Sequence, residues 1–588
     1  MSLPRLAFLP LLAAALAPGL LRADVKLPAI FGDHMVLQRD GVVPVWGTAE
    51  PGEGVTVTAG AATGSATAGP DGKWTVKLSG LAASAQPLDV TVAGKNQIVL
   101  HDVLVGDVWV CSGQSNMEFG IGNDASAAEE IPKADHPEIR LFMVIKKILP
   151  VPAADLVAPP EGATNGRWVV CTPDTVKQNG WNGFTAVGYF FGRDVAAFTH
   201  APVGLIDTCW GGTPAQAWTS LEALQAVPAL KNYAGEAAKR AQNHEKEDQD
   251  YQTVVLPKWK ADVEQWKVAN KDKWDAYQAD LQKYNDAVKT PPAAGTPAPA
   301  KPKDPTPPAP KDPAFNPNAA SVLYNAMIAP LVPYGIKGAI WYQGESNAGR
   351  PLEYATLLPT MIGDWRARWG QGDFPFLIVQ LANYLAHKPD PSESNWAVLR
   401  DSQAKTAAMP HNGLALAIDL GEYADIHPKD KDDVGARLAL AARKVAYGDD
   451  AAVFSGPTYS GQTVEGDKIR LAFGNAGSGL AIGVPPPHFH PGQPRSVAPA
   501  LKDFAIAGAD GKYVWADAVI DGNTVVVSSP QVPQPASVRY DWADNPEGNL
   551  YNKEGLPAVP FRTDTALVGE ATPAPPPAAP APAPVPAK

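Results

Sequence analysis

Cysteine is nearly absent: the 588 residues hold three, Cys111, Cys171 and Cys209. An odd set of three cannot all pair internally, which excludes a fold resting on a disulfide framework. Cys111 and Cys209 end apolar runs read below as adjacent strands, so a single bridge between them is conceivable, but a small buried hydrophobe is the expected role of each. Charge is also sparse, at 19% of residues, and basic residues are the minority: 49 Lys and Arg against 61 Asp and Glu, a formal net charge of -12. Neutralising phosphates needs clustered Lys and Arg, so nucleic acid is excluded as the main partner, and a neutral or weakly polar substrate fits better. Beyond the first 25 residues there is no long apolar run, so no membrane span is expected in the mature chain.

The start, MSLPRLAFLPLLAAALAPGLLRADV, has an early arginine, an apolar stretch from Leu6 to Leu21 and small Ala23 ahead of a polar residue. That is the pattern of a secretory signal peptide over residues 1–23, and it predicts an exported protein, periplasmic or extracellular. Pro10 and Pro18 interrupt the run and leave it short of the ~20 residues a membrane span needs.

A chain of this length divides into several domains and has room for a sizeable catalytic core. Over residues 24–103, short alternating runs such as GVVPVWG, GVTVTAG and KWTVKLSG between Gly, Pro, Asp and Asn predict a small antiparallel, sandwich-like β domain. From residue 104 the character changes. DVWVCSGQSNM, VGLIDTCWGGT, KGAIWYQGESN, FLIVQLANY and GLALAIDL are apolar on both faces, end in polar or Gly-rich turns, and alternate with helical stretches. They predict an α/β doubly wound parallel sheet, in two parts at 104–222 and 319–448. In such a sheet ligands sit outside the carboxyl ends of the strands, where every one of these polar turns falls.

Between the two parts, 223–318 reads as an insertion. Tyr251, Trp259, Trp266, Trp274 and Tyr284 are spaced as on a long amphipathic helix or helical hairpin, followed by an extended proline-rich linker without a core of its own. Alternation returns over 449–566 as a second β domain, and 567–588 is a disordered tail of mostly Pro and Ala.

The chemistry begins at GQSNM. An apolar strand runs into it, so Ser115 is expected at a strand-to-helix turn, with Gly113 permitting tight backbone geometry. A serine there serves as a nucleophile, its own N–H helping to hold an oxyanion, or as a helix N-cap; on this motif alone the two readings are even. His488 and His490, in PPPHFH, have metal-like spacing but no carboxylate or cysteine companion, and read as structural. No metal ligand set and no cofactor motif is found.

GQSNM after a strand, DTCWGGTPAQAW, NAMIAPLVPYGIKGAIWYQGESNA and DIHPKDKDDVGARLAL, in that order, resemble the sialate O-acetylesterase family of the SGNH (GDSL-like) hydrolases. The likeness extends over nearly the whole mature chain, including both β domains and the late segment WADNPEGNLYNKEGLPAVPFRTD. The resemblance implies an SGNH-type fold, acyl-ester hydrolysis and an acetylated carbohydrate as substrate: a sialic acid, or an acetylated xylan or pectin. A non-catalytic carbohydrate-binding protein is the rival, suggested by two β domains and sixteen tryptophans. An intact set of catalytic-looking turns speaks against it.

Carried over motif by motif, the resemblance implies Ser115 as nucleophile and His427, in DIHP, as the base that takes its proton and returns it to the departing sugar hydroxyl. Oxyanion donors are the Ser115 N–H, Gly211 or Gly212 of WGGT, with Gly212 preferred, and a side chain of QGESN. There Gln343 lies nearer the sheet than Asn347 and is favoured. Members of the superfamily usually carry an aspartate three residues before the histidine, but that position is Ala424. Asp425, two before, is the expected third member, with Asp419 and Glu345 as competitors and a Ser–His dyad backed by a main-chain carbonyl as the remaining arrangement. Arg400 and Gln403, in LRDSQ, are placed by the substrate with Glu345. Arg400 would hold a sugar carboxylate, or serve as a structural ion-pair partner. The oligomeric state is not legible.

Overall fold

The structure, a computed structural model, describes residues 24–287, 301–310, 312, 315–483 and 499–564. The expected leader, residues 288–300 of the expected linker, the His488 and His490 pair and the expected tail lie outside the described residues.

Seven strands form the path that carries the site: β1 (Gln97–Gly113), β2 (His136–Met143), β3 (Trp168–Cys171), β4 (Val203–Cys209), β5 (Gly338–Tyr342), β6 (Phe376–Gln380) and β7 (Asn412–Leu416). Their order is β7-β6-β5-β1-β4-β2-β3. Every neighbouring pair is parallel except β2 and β3, which run antiparallel. The expected wholly parallel sheet is therefore mixed, closed at one edge by a short antiparallel strand. All seven residues of β4 are buried, as a parallel strand covered on both faces requires.

The covering helices are α2 (Ala186–Thr199) and α5 (Asp432–Val445), packed on each other, and α3 (Pro351–Trp369) and α4 (Asn395–Ala407), likewise paired. The pleat separates them. Trp109 of β1 meets Phe191 of α2 with ring centroids 4.9 Å apart, while Trp341 of β5 meets Trp365 of α3 at 6.0 Å. Trp341 is in register with Ser112, three residues from Trp109 and so on the opposite face.

β1 is 17 residues long because it serves two sheets' worth of partners. Its first half pairs with Val36–Gln38 and Ser84–Ala93, its second with β4 and β5. The boundary expected at residue 103 falls inside this strand, and one continuous core runs from Val25 to Ala442. A separate core lies in the later strands, from Ile469 to Phe561.

The insertion is helical over Lys231–Asp250, Leu256–Ala269 and Lys271–Ala287. Part of the proline-rich stretch packs back on it: the Trp259 Nε1–H donates to Pro307 O at 3.1 Å and the Tyr251 hydroxyl to Pro310 O at 3.2 Å. Among the described residues no helix is long and apolar enough to cross a membrane. All three cysteines are buried and unbridged. Cys111 and Cys209 stand on neighbouring strands, and Cys209 donates to Asp207 Oδ1 instead.

Candidate active site

The site forms where β1 meets its first helix. Gly113 has φ 144°, and a Cβ there would lie 2.2 Å from Tyr342 O of β5, so only glycine lets the two strand ends come this close. The Gln114 N–H donates to the same carbonyl at 3.0 Å. The chain then turns into α1 (Ser115–Glu118), a single turn whose cap residue is Gln114, with no side-chain cap bond. Ser115 thus occupies the first helical position, where the N–H has no intrahelical acceptor. Its hydroxyl does not cap the helix; it lies 2.9 Å from His427 Nε2.

His427 stands on the loop between β7 and α5, and 312 residues of sequence separation are closed by the sheet. Trp181 presents its ring edge-on to the imidazole, centroids 5.0 Å apart, and is itself partly exposed to solvent. Asp425 Oδ1 accepts the His427 main-chain N–H at 2.9 Å and lies 3.5 Å from Nδ1. The Asp425 side chain is 46% exposed. Burial holds the imidazole below the ordinary histidine value, Lys431 adds to that, and Asp425 opposes both. Of the competitors, Asp419 is bound by the Arg437 guanidinium at 2.6 and 2.9 Å, and Glu345 accepts from Asn116 Nδ2 at 2.5 Å. Asp425 alone of the three contacts the histidine.

On the other side of Ser115 runs the WGGT turn. A Cβ on Gly211 would sit 3.2 Å from Glu118 Oε2 and 3.3 Å from the Ser115 Cβ, so the turn lies close against the serine. The Gly211 N–H is taken by Glu118 Oε2 at 2.6 Å, and Glu118 is in turn paired with Lys146. Gly212, at φ 74°, has open space around it, and its N–H has no acceptor among the described residues. Gln343 and Asn347 are inward supports rather than free donors. Gln343 Nε2 donates to Thr213 O at 3.2 Å and to Asn347 Oδ1 at 2.8 Å, while Asn347 Nδ2 donates to Gln216 Oε1 at 3.1 Å. Both are fully buried and tie the WGGT turn to the end of β5.

The LRDSQ residues are not at the site. Arg400 is fully buried, and its guanidinium donates to the main-chain oxygens of Leu381, Ala382, Ala543 and Asp544 at 2.7–3.0 Å. Gln403 donates to Gln343 O and Val379 O and accepts from Leu381 N. The expected substrate contacts of Arg400 and Gln403 are corrected accordingly: a buried guanidinium surrounded by carbonyls fastens β6 to the C-terminal strands. Glu345 does reach the site, but through Asn116.

Two residues at the centre of this arrangement escape sequence reading. Asn116 reads as a capping group, and Lys431 is one lysine in the charged run PKDKDD. Only the fold shows that both are buried beneath the Ser115–His427 contact. Among the described residues no group of three or more His, Cys, Asp or Glu side chains is arranged to hold a metal ion.

This geometry can be set beside known proteins. A family model described as carbohydrate esterase, sialic acid-specific acetylesterase, matches residues 314–444. The rat sialate O-acetylesterase is 31% identical over 464 residues, covering 74% of this chain and 75% of that protein. The chain belongs to the sialate O-acetylesterase family. The human member is 28% identical over 463 residues, covering 74% of this chain and 73% of that protein. A crystal structure of a carbohydrate acetylesterase from Xanthomonas citri superposes with a TM-score of 0.69 at 34% identity, over 92% of this chain and 100% of that one.

Proposed function

We propose that this member of the sialate O-acetylesterase family hydrolyses O-acetyl groups on carbohydrate with Ser115 as nucleophile and His427 as general base. The observation that carries the assignment is the 2.9 Å contact between the Ser115 hydroxyl and His427 Nε2 at the carboxyl end of the central strand. The enzyme is a carboxylic ester hydrolase, and its substrate is an acetylated carbohydrate.

In the first half-reaction Ser115 Oγ attacks the acetyl carbonyl carbon as its proton passes to Nε2. The oxyanion is held by the N–H groups of Ser115 and Gly212, each such donor being worth ~3 kcal/mol in the transition state. Nε2 then returns the proton to the sugar oxygen as the ester C–O bond breaks, leaving acetyl-Ser115 and a free sugar hydroxyl. Water, deprotonated by the same nitrogen, attacks the acetyl-serine; acetate leaves and the proton returns to Oγ. Asp425 keeps the Nδ1–H tautomer in place from the loop itself.

The strand order, the serine at the end of β1 and the histidine after β7 support the SGNH-type reading. The leader motif supports export to a periplasm or the medium, and the composition supports an insertion at 223–318 and a C-terminal β region over 449–566, whereas 24–103 and 104–222 share β1 and one core. Arg400 is held by main-chain carbonyls, so it is not the group that would meet the carboxylate of a sialic acid. Acetate release from acetylated sialic acids, xylans and pectins is the test. Turnover on at least one supports the reading; no release from any of them, with protein that is folded and reacts with no small acetyl ester, contradicts it.

A further inference from the structure

Lys431 is completely buried, an unusual place for an ammonium. Its Nζ donates to Asn116 Oδ1 at 2.7 Å and lies over two aromatic rings, 4.8 Å from the Phe119 centroid and 5.2 Å from that of Tyr342. Its main-chain N–H is held by Asp124 Oδ2 at 2.9 Å. Asn116, the residue after the nucleophile, uses its amide to reach the other half of the site: Nδ2 donates to Ile426 O at 3.0 Å, one residue before His427, and to Glu345 Oε1. The second carboxylate oxygen of Glu345 is buried without a hydrogen-bond partner. Removing such a cation and its partner from water costs several kcal/mol, and an apolar residue of similar volume would pack there at no such cost.

We propose that Lys431 is the positioning residue of the site: through Asn116 it fastens the loop carrying His427 to the turn carrying Ser115, and its ammonium disfavours a second positive charge on the imidazole, keeping His427 a neutral base. The proposal rests on the reading of Ser115 and His427 as the reacting pair. The charged groups facing Lys431 are Glu345, Asp124, Asp430 and Asp425, and those facing His427 are Lys431 and Asp425. Burial lowers Lys431 from the ordinary lysine value to about 7, and the four carboxylates around it oppose that loss of charge. The same charge opposes the imidazolium formed in turnover, and Asp425 on the outer side of the ring offsets it.

The experiment is an NMR titration of ¹⁵N-labelled histidine in Ser115→Ala protein, with Lys431 retained or replaced in Lys431→Met, the His427 signal being assigned with His427→Gln. Removing the cation should raise the His427 midpoint by on the order of one pH unit. The acid limb of kcat/KM in Lys431→Met, with Ser115 intact, should move up by the same amount. A merely structural lysine lowers the profile and the melting temperature without moving either midpoint. An unmoved His427 midpoint overturns the proposal. Lys431→Met leaves Glu345 without its counter-charge, so Lys431→Met with Glu345→Gln, which removes both charges, is measured in parallel and carries the same expected upward shift. Because the titration needs no turnover, it reports on Lys431 even if Ser115→Ala were to stay active, a result that would count against the catalytic reading alone.

Discussion

At the residue scale the account turns on two contacts of one histidine. Nε2 is 2.9 Å from the serine hydroxyl, whereas the acid behind Nδ1 is at 3.5 Å and nearly half exposed. A carboxylate so placed is screened by water and gives less than the buried aspartate of a serine protease, whose replacement by asparagine lowers turnover ~10⁴-fold. Asp425→Asn is therefore expected to lower kcat by roughly 10- to 100-fold, with Asp419→Asn leaving the histidine contact intact; steady-state kinetics of both, with matched melting curves, checks this. A loss near 10⁴-fold would show a tighter acid contact than the one described. Since burial and Lys431 both lower His427, its neutral form persists to lower pH than usual. The acid limb of kcat/KM should have its midpoint below 6.5, the ordinary histidine value, and a midpoint at or above it would contradict the electrostatics. Ser115 was legible because it sits in a motif at a strand end, and His427 because the family resemblance marks the DIHP block that carries it. Arg400 was misread because a guanidinium in sequence carries no sign of whether it meets a ligand or a ring of carbonyls. Gln343 was read as a donor from its place after β5, although its amide hydrogens bind Thr213 and Asn347.

At the scale of elements, the turn between β1 and α1 has the least freedom. Gly113 combines a positive φ with a 2.2 Å approach to Tyr342 O. Gly113→Ala must push β5 away or strain the turn, and a loss on the order of 3 kcal/mol or more is expected, with activity lost in the folded fraction as well. Thermal melting with active-site titration checks it, and a stable, fully active variant would contradict the described turn. The strands themselves were readable as apolar runs ending in polar turns. The antiparallel direction of β3 was not, since a four-residue strand with two buried residues has no period that fixes its direction. Nor was the sharing of β1 between two sets of partners, because His101, Asp102 and Asp107 break its apolar run into pieces that read as separate strands.

At the scale of the molecule, the C-terminal strands are more than an appendage. Arg400 reaches from α4 to the carbonyls of Ala543 and Asp544, Val559 packs on Leu416 and Ile418, and Trp542 packs on Ala397 and Val398. Arg400→Met would leave buried carbonyls unpaired, and a loss on the order of 3 kcal/mol or more in stability is expected with KM for acetylated sugar unchanged. A raised KM at unchanged stability would return Arg400 to the substrate. Ending the chain at residue 448 removes these contacts together and should lower the melting temperature far more than any one of them. The central claim, that one serine carries the chemistry, is tested most directly by acetate release from Ser115→Ala alongside wild type, with circular dichroism showing both folded. The account predicts a fall in kcat of about 10⁴-fold or more, because nucleophile and base act as one unit; a folded Ser115→Ala enzyme within tenfold of wild type would contradict it.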